Sequence, residues 1–498
     1  MRVLPFSAAL AGLILVAGTA PAQAPSASEP SVPPPTPSEL PQSSAPPAAP
    51  APPADPLLFQ NGPLRVKLGF DATVQPTWAV DSWWQLSQRF APDANYRADR
   101  LWTEGWLKPG VRTDLSVNDR LAVYSGVSYV ASGNVGKDLF EQGNRGLWAV
   151  EDAYFGARYG DAQANQTIDI SYGRQPYKIG SGMLISVGAV NGFERGAVTT
   201  FARRAWEEAA LAKVNYGPLS FDAFYLNPNE LRSGDTNTQL AGSKAEVSLG
   251  TNQYVGLAYI NVFNSMLPYL AAPVRLIPNG RDGLNTVHTY ARVNPLREHL
   301  PGLYVAGDFA YQWNDGINMR AFAYNAEVGQ TFAELPLKPT LAYAFRTFTG
   351  DNPRTARYEK FDPLFYEGAP PLWSSGSNGS FAFLNSNLLA HRISLALVVS
   401  PRDFVNFYYW HVRADRVNSP LQFGQSTRVV VVGGEPRLSP GVPDAHLSDD
   451  FYVDYTRGLT KNVFLTSGFG VSIPGRGIRE ISGTRTWYGG LLNITMKY

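Results

Sequence analysis

The chain has 498 residues, with 42 lysines and arginines against 41 aspartates and glutamates, a formal charge of +1 and no cysteine. A balance this even excludes the strongly basic face that nucleic acid requires. The lack of cysteine excludes a disulfide framework, so stability must come from hydrogen bonding and packing.

The chain opens on "MRVLPFSAALAGLILVAGTAPAQA". Arg2, an apolar run from Val3 to Val16 and the Ala20-x-Ala22 pair read as a secretory signal peptide over residues 1–22, which implies export of the mature chain. Residues 23–63 form the next unit. Thirteen prolines lie between Pro25 and Pro56 with almost no bulky apolar side chain, so this stretch cannot build a core. It is expected to be a disordered, polyproline-II-like periplasmic tether of about 3 Å per residue, or a peptidoglycan-contacting segment.

From residue 64 to 498 the pattern changes. In "RVKLGFDATVQ", Val66, Leu68, Phe70, Ala72 and Val74 share one face, while Arg65, Lys67, Asp71, Thr73 and Gln75 share the other. That is the two-residue period of a β-strand. Similar segments recur near 64–77, 99–115, 120–130, 148–159, 167–176, 204–216, 219–227, 242–249, 254–263, 286–294, 302–313, 321–332, 340–348, 388–399, 404–413, 450–457, 462–472 and 487–498, eighteen in all. No later apolar run reaches the roughly 18–20 residues of a membrane-spanning helix. Abundant tyrosine, phenylalanine, tryptophan and glycine suit a transmembrane β-barrel, whose outer face alone is apolar. The expected fold is all-β, an antiparallel transmembrane barrel of about eighteen strands.

The connections separate this fold from a soluble sandwich. "SVND", "GP", "TNQ", "PRD" and "GLTK" follow even-numbered strands, whereas long connections at 78–98, 177–203, 349–387 and 414–449 follow odd-numbered ones. Short periplasmic turns and long external loops mark an outer-membrane barrel. The expectation is therefore a barrel in outer-membrane lipid of a Gram-negative bacterium, with both ends periplasmic. The last strand alternates Tyr488, Gly490, Leu492, Ile494 and Met496 with polar residues and ends on Tyr498. An aromatic final residue resembles the signal that barrels present to their assembly machinery. Trp313, Tyr408, Tyr409, Trp410, Trp487 and Tyr488 are candidates for the aromatic girdles.

Strand phase assigns the lumen a face of both signs. Arg65, Lys67, Arg100, Lys108, Arg112, Arg158, Lys213, Lys244, Arg292, Arg346, Arg392 and Lys497 oppose Asp71, Glu104, Asp114, Asp152, Glu246, Asp308, Glu327 and Asp454, twelve basic against eight acidic. Such a wall is that of a water-filled pore, whose selectivity follows the sign that dominates its narrowest point. The candidate constriction is "YKIGSGMLISVGAVNGFERGAVTTFARR". Its apolar patch from Met183 to Val187 favours burial, either within the barrel or packed over its rim. Inside, it would carry Arg195, Arg203 and Arg204 across the pore. Arg174 stands at its root and would turn inward only through a bulge at Gly173. Guanidinium groups there would favour carboxylates on a passing solute.

Nothing in the sequence supports catalysis or a cofactor. His288, His299, His391, His411 and His446 lack metal-ligand spacing, "GSGM" and "GRG" open no helix, and a Ser-His hydrolase would rest on single residues. The expected function is passage of hydrophilic, anionic or saccharide solutes. A structural or adhesive barrel with a blocked lumen is the first alternative, and an outer-membrane enzyme the second.

Longer motifs carry a resemblance. "SYGRQPYKIGSGML", "NGFERG", "FRTFTGDNPRTARYEKFDPLFYE" and "NLLAHRISLALVVSPRDFVNFYYWHVR" resemble the alginate-export family of outer-membrane proteins over about residues 95–498. The family's Gly-Arg-Gln matches Gly173, Arg174 and Gln175. Its Gly-Asp and Phe-Asp-Pro segments match Gly350, Asp351, Phe361, Asp362 and Pro363. The resemblance implies an eighteen-stranded barrel with an electropositive pore for acidic polysaccharide. Unlike the alginate exporter, which plugs its periplasmic mouth with a long turn, this chain has only "GLTK" there, and its lumen is mixed in sign. That points to a channel of the family fold with a different solute.

Overall fold

A computed structural model describes residues 57–83, 97–139, 142–272, 275–366, 383, 385–420, 441–482 and 485–498, with short strands between 422 and 438. The expected signal peptide and the proline-rich stretch to residue 56 lie outside the described residues. Eighteen antiparallel strands close into one barrel. They are β1 Leu64–Val80, β2 Arg100–Ser116, β3 Leu121–Val135, β4 Gly146–Asp161, β5 Gln166–Gln175, β6 Trp206–Tyr216, β7 Leu219–Asn227, β8 Gln239–Gly250 and β9 Gln253–Asn264. The series continues with β10 Asn285–Val293, β11 Leu303–Asn314, β12 Met319–Thr331, β13 Thr340–Phe348, β14 Leu388–Ser400, β15 Asp403–Arg413, β16 His446–Gly458, β17 Val463–Pro474 and β18 Trp487–Lys497. Each lies where the alternating pattern placed a strand. Ahead of β1, Leu57–Asn61 turns back through Gly62, which has a φ of 54°, and pairs with the start of β1.

Every strand pairs with its sequence neighbours, and β18 returns to β1 with Asp71 opposite Lys497 and Val74 opposite Ile494. The Tyr498 N–H donates to the Phe70 carbonyl at 2.9 Å, and the Phe70 N–H donates to the Tyr498 carbonyl at 3.0 Å. Closure leaves no unpaired edge, which is the condition for a sheet to sit in hydrocarbon. Val74, Phe155, Ile170, Leu257, Phe309, Ile393, Phe407, Phe451, Phe469 and Ile494 come from ten different strands and remain exposed on the outside. So continuous an apolar belt exceeds what water tolerates on a monomer and fits a bilayer.

All connections at one end are turns; at the other end only 315–318 is short. That four-residue hairpin is the one break in the expected alternation of lengths. Of the expected girdle aromatics, Tyr488 is exposed on the outer face and Trp313 and Tyr409 share that face, whereas Tyr408, Trp410 and Trp487 are buried inside.

Close approach explains several glycines on the inner wall. A Cβ on Gly256 would lie 2.2 Å from the Tyr290 ring, on Gly329 2.4 Å from Tyr304, and on Gly468 2.1 Å from Tyr452. Each tyrosine lies flat over a glycine of the neighbouring strand, so the ring fills the groove that the missing side chain leaves.

Candidate functional site

At the short-turn end the lumen is polar and charged. Lys108 lies 3.9 Å from both Asp71 and Asp152. Arg158 pairs with Asp169 at 2.8 Å, and its guanidinium stands 5.7 Å over the Tyr124 ring. A cavity of about 50 Å³ is lined by Asp71, Lys108, Arg112, Ser128, Asp152 and Tyr154, among others. Lys108, Arg112, Asp152 and Arg158 therefore face inward as strand phase requires. The long gaps around Lys108 leave room for water, and pairs of that kind contribute little to stability.

The other half of the lumen is filled. The connection after β5 turns inside, and from 182 to 203 only Glu194 is exposed. It reaches opposite walls. The Tyr177 hydroxyl donates to Asp222 at 3.1 Å and the Ser181 hydroxyl to Asp308 at 2.6 Å. On the far side, the N–H and hydroxyl of Thr199 each donate to Glu104 at 2.8 Å, and Gln75 donates to Thr199 at 2.9 Å. Two more segments join it. The connection 265–284 carries a small hairpin of Tyr269–Ala271 with Arg275–Ile277, and 349–366 descends beside it. Ile185 bridges to Phe365, and the Ser186 N–H donates to the Phe365 carbonyl at 2.9 Å. Arg281 holds Asp362 through two bonds of 2.7 and 2.9 Å, and the Tyr269 ring stacks on Tyr358 at 5.0 Å. Sequence pattern singled out only the first of these three segments, for its glycines, its Met183–Val187 patch and its terminal arginines, although 265–284 also joins an apolar run to Arg275 and Arg281.

Two of the three inserted arginines, Arg195 and Arg203, are buried away from any passing ion, while Arg204 is half-buried. Arg195 is buried, and its guanidinium donates to the carbonyls of Val190 (2.7 Å), Asn229 (3.0 Å) and Glu230 (2.7 Å) and to the Asn229 side chain (2.9 Å). Arg203 donates to the Ser132 hydroxyl at 2.5 Å and the Leu147 carbonyl at 2.9 Å, and burial pushes its pKa down to about 10. The backbone N–H groups of Arg204 and Ala205 are fixed by Glu151 at 2.6 and 2.9 Å. Glu104, expected on the wet wall, is buried as the loop's anchor. Each of these charges satisfies backbone or hydroxyl groups that the loop would otherwise bury unpaired.

Arg174 is corrected outright. A ladder shift does occur between Gly173 and Gln175, but their partners are Ala209 and Trp206. The extra residue therefore belongs to β6, the alternation of β5 is unbroken, and Arg174 stays on the outer face, 3.0 Å from Glu207. Arg346 and Arg392 do face inward. Both are buried, their guanidinium carbons 4.5 and 5.5 Å from the Trp410 ring, and Arg392 pairs with Glu327 at 2.6 Å.

The neighbouring connection 228–238 is held by a titratable group. Glu230 is buried and accepts from the Thr236 N–H at 2.8 Å and its hydroxyl at 2.9 Å. Burial pushes its pKa up from 4.5 to about 7, against the pull of those hydrogen bonds. A raised pKa means that this stabilisation is complete below pH 4.5 and lost as pH rises through about 7, a difference on the order of 3 kcal/mol. The unfolding temperature of wild type, followed by circular dichroism, should fall more steeply across that window than that of Glu230→Gln. Equal slopes would remove Glu230 from the account.

No family model matches the chain, and no curated protein matches it. Solved outer-membrane porins align at low identity. Salmonella typhi OmpF in complex with daunomycin shares 13% identity at a TM-score of 0.42, covering 88% of this chain and 99% of that one. Pseudomonas aeruginosa OccK5 (OpdH) gives 9% and 0.46, with 86% and 98% covered. Pseudomonas putida OprB at high pH gives 9% and 0.45, with 87% and 94% covered. The barrel assignment rests on the closed ladder itself.

Proposed function

We propose that this chain is an outer-membrane channel of a Gram-negative bacterium that passes hydrophilic solutes, anionic or saccharide in class, by diffusion or export. The observation that carries the reading is the charged vestibule inside a closed barrel with an apolar belt. Lys108, Arg112 and Arg158 on the inner wall of the short-turn end support the finer solute class, since ammonium and guanidinium groups favour carboxylates on a passing solute. The resemblance to the alginate-export family supports the same class. Its matched residues Asp351 and Asp362 serve here as buried anchors of the inserted segments: Asp351 accepts from the Ala272 N–H at 2.5 Å and the Glu359 N–H at 2.8 Å. Lipid around the belt and barrel-assembly machinery reading the β18 strand are the proposed partners.

The packed outer half of the lumen favours a second reading, a structural barrel whose loops bind partners. Planar-bilayer recording on detergent-folded protein separates the two. A channel gives ohmic steps that oligosaccharides or oligouronates block. A silent membrane under conditions where the protein is inserted and heat-modifiable overturns the channel reading.

A further inference from the structure

On the outer face, near the long-loop end, the ladder gathers residues that lie far apart in sequence. His411 of β15 is directly opposite Asp449 of β16, and a register shift after Val412 brings His446 opposite Arg413. The phase is outward, because Phe407 and Phe451, which share this face, are exposed. His411 Nδ1 lies 2.8 Å from one carboxylate oxygen of Asp449, and His446 Nε2 lies 2.9 Å from the other. The two imidazole rings stack at 5.0 Å, and one donor atom from each of the three residues falls within 4.8 Å of the others. None is sealed off, with side-chain exposures of 30%, 33% and 25%.

From this geometry we propose a binding site for a transition-metal dication, Zn²⁺ or Cu²⁺, formed by His411, His446 and Asp449. Neutral imidazole suits these ions, and three protein donors leave a fourth position for water. In a tetrahedral site with bonds of about 2.0–2.1 Å the donors stand roughly 3.3 Å apart, so the short imidazole–carboxylate contacts open slightly while the wider donor pairs, now within 4.8 Å, close onto the ion. On binding, each neutral imidazole presents a lone pair to the ion and carries its proton on the other ring nitrogen, any proton in excess passing to solvent. Supporting groups are in place: the Tyr409 hydroxyl donates to Asp449 at 2.8 Å, and Asp444 fixes the His446 backbone N–H at 2.9 Å. Outer contacts of this kind hold ligands in orientation. A bound ion ties β15 to the entry of β16, where the chain returns from the long connection 414–445. This proposal is independent of whether the lumen conducts.

The test uses the full chain folded in detergent and stripped with EDTA, titrated with Zn²⁺ by calorimetry and with Cu²⁺ by electron paramagnetic resonance. The expected result is one ion per chain, with nitrogen hyperfine splitting from two imidazoles. His411→Ala and His446→Gln should each weaken Zn²⁺ binding at least tenfold, while His299→Ala, on a short turn at the other end, leaves it unchanged. His446→Gln keeps the site measurable should His411→Ala fail to fold, as judged by heat-modifiable migration. Absence of stoichiometric binding, or equal affinity in His446→Gln and wild type, overturns the site.

Discussion

Asp362→Ala is expected to raise single-channel conductance severalfold in planar bilayers, with frequent switching between levels. The carboxylate sits where the inserted segments meet. It takes two bonds from Arg281, one from the Tyr269 hydroxyl at 2.5 Å and one from the Leu364 N–H at 2.8 Å, while Gln312 of β11 donates to its carbonyl at 2.7 Å. Both charged side chains are essentially buried, at 2% and 3% exposure. Removing one member of such a pair strands the other charge and costs about 3–5 kcal/mol. The barrel wall does not depend on this bond, so the loss falls on the inserted segments. Arg281→Leu combined with Asp362→Leu should conduct more like wild type, since an apolar pair of similar volume leaves no stranded charge. Wild-type conductance in Asp362→Ala would show that other contacts hold the segments in place.

Acid should act in the same direction. Burial opposes the Asp362 carboxylate, but Arg281 and the Tyr269 hydroxyl outweigh it and hold its pKa below the ordinary 3.8. A depressed pKa means that the pair's stabilisation is complete above that ordinary value and is lost as pH falls through the lower, folded one.

What the sequence made legible was the wall, and the reason is physical. Lipid on one side and a polar interior on the other impose a two-residue period that no other force blurs, so β13, predicted and observed over 340–348, needed no tertiary information. The contents of the lumen obey no such period. An arginine in a glycine-rich loop reads alike whether it meets water or a carbonyl, and Arg195 turned out to meet carbonyls. Arg174 failed differently: a ladder shift is shared by two strands, and one strand's sequence does not say which of them holds the extra residue. The cluster of His411, His446 and Asp449 was invisible because the ladder, across a long connection, supplies the proximity that ligand spacing otherwise reveals.

Arg346→Gln with Arg392→Gln is expected to abolish or reverse an anion preference that wild type shows as a reversal potential in a salt gradient. The two guanidinium groups lie on neighbouring strands beside Trp410, buried, so they act on a passing ion through their field and not by contact. Glu327 neutralises Arg392 at 2.6 Å, and Asp308 is engaged by His288 at 3.0 Å and by Ser181. Arg346, whose Nε donates to the Asn325 side chain at 3.4 Å, adds the second guanidinium charge beside Arg392. A unit charge held about 8 Å from any ion, in a medium of effective dielectric constant about 40, is worth about 1 kcal/mol. That is roughly fivefold in a permeability ratio. Glutamine at both positions removes the positive charges and leaves Glu327 and Asp308, so the balance should shift toward cations by at least that factor. Arg195→Gln, whose charge is spent on backbone carbonyls, should move the ratio far less while lowering the unfolding temperature. A cation-selective wild type, or a double variant with an unchanged reversal potential, would mean that the Arg346–Arg392 pair only braces the wall.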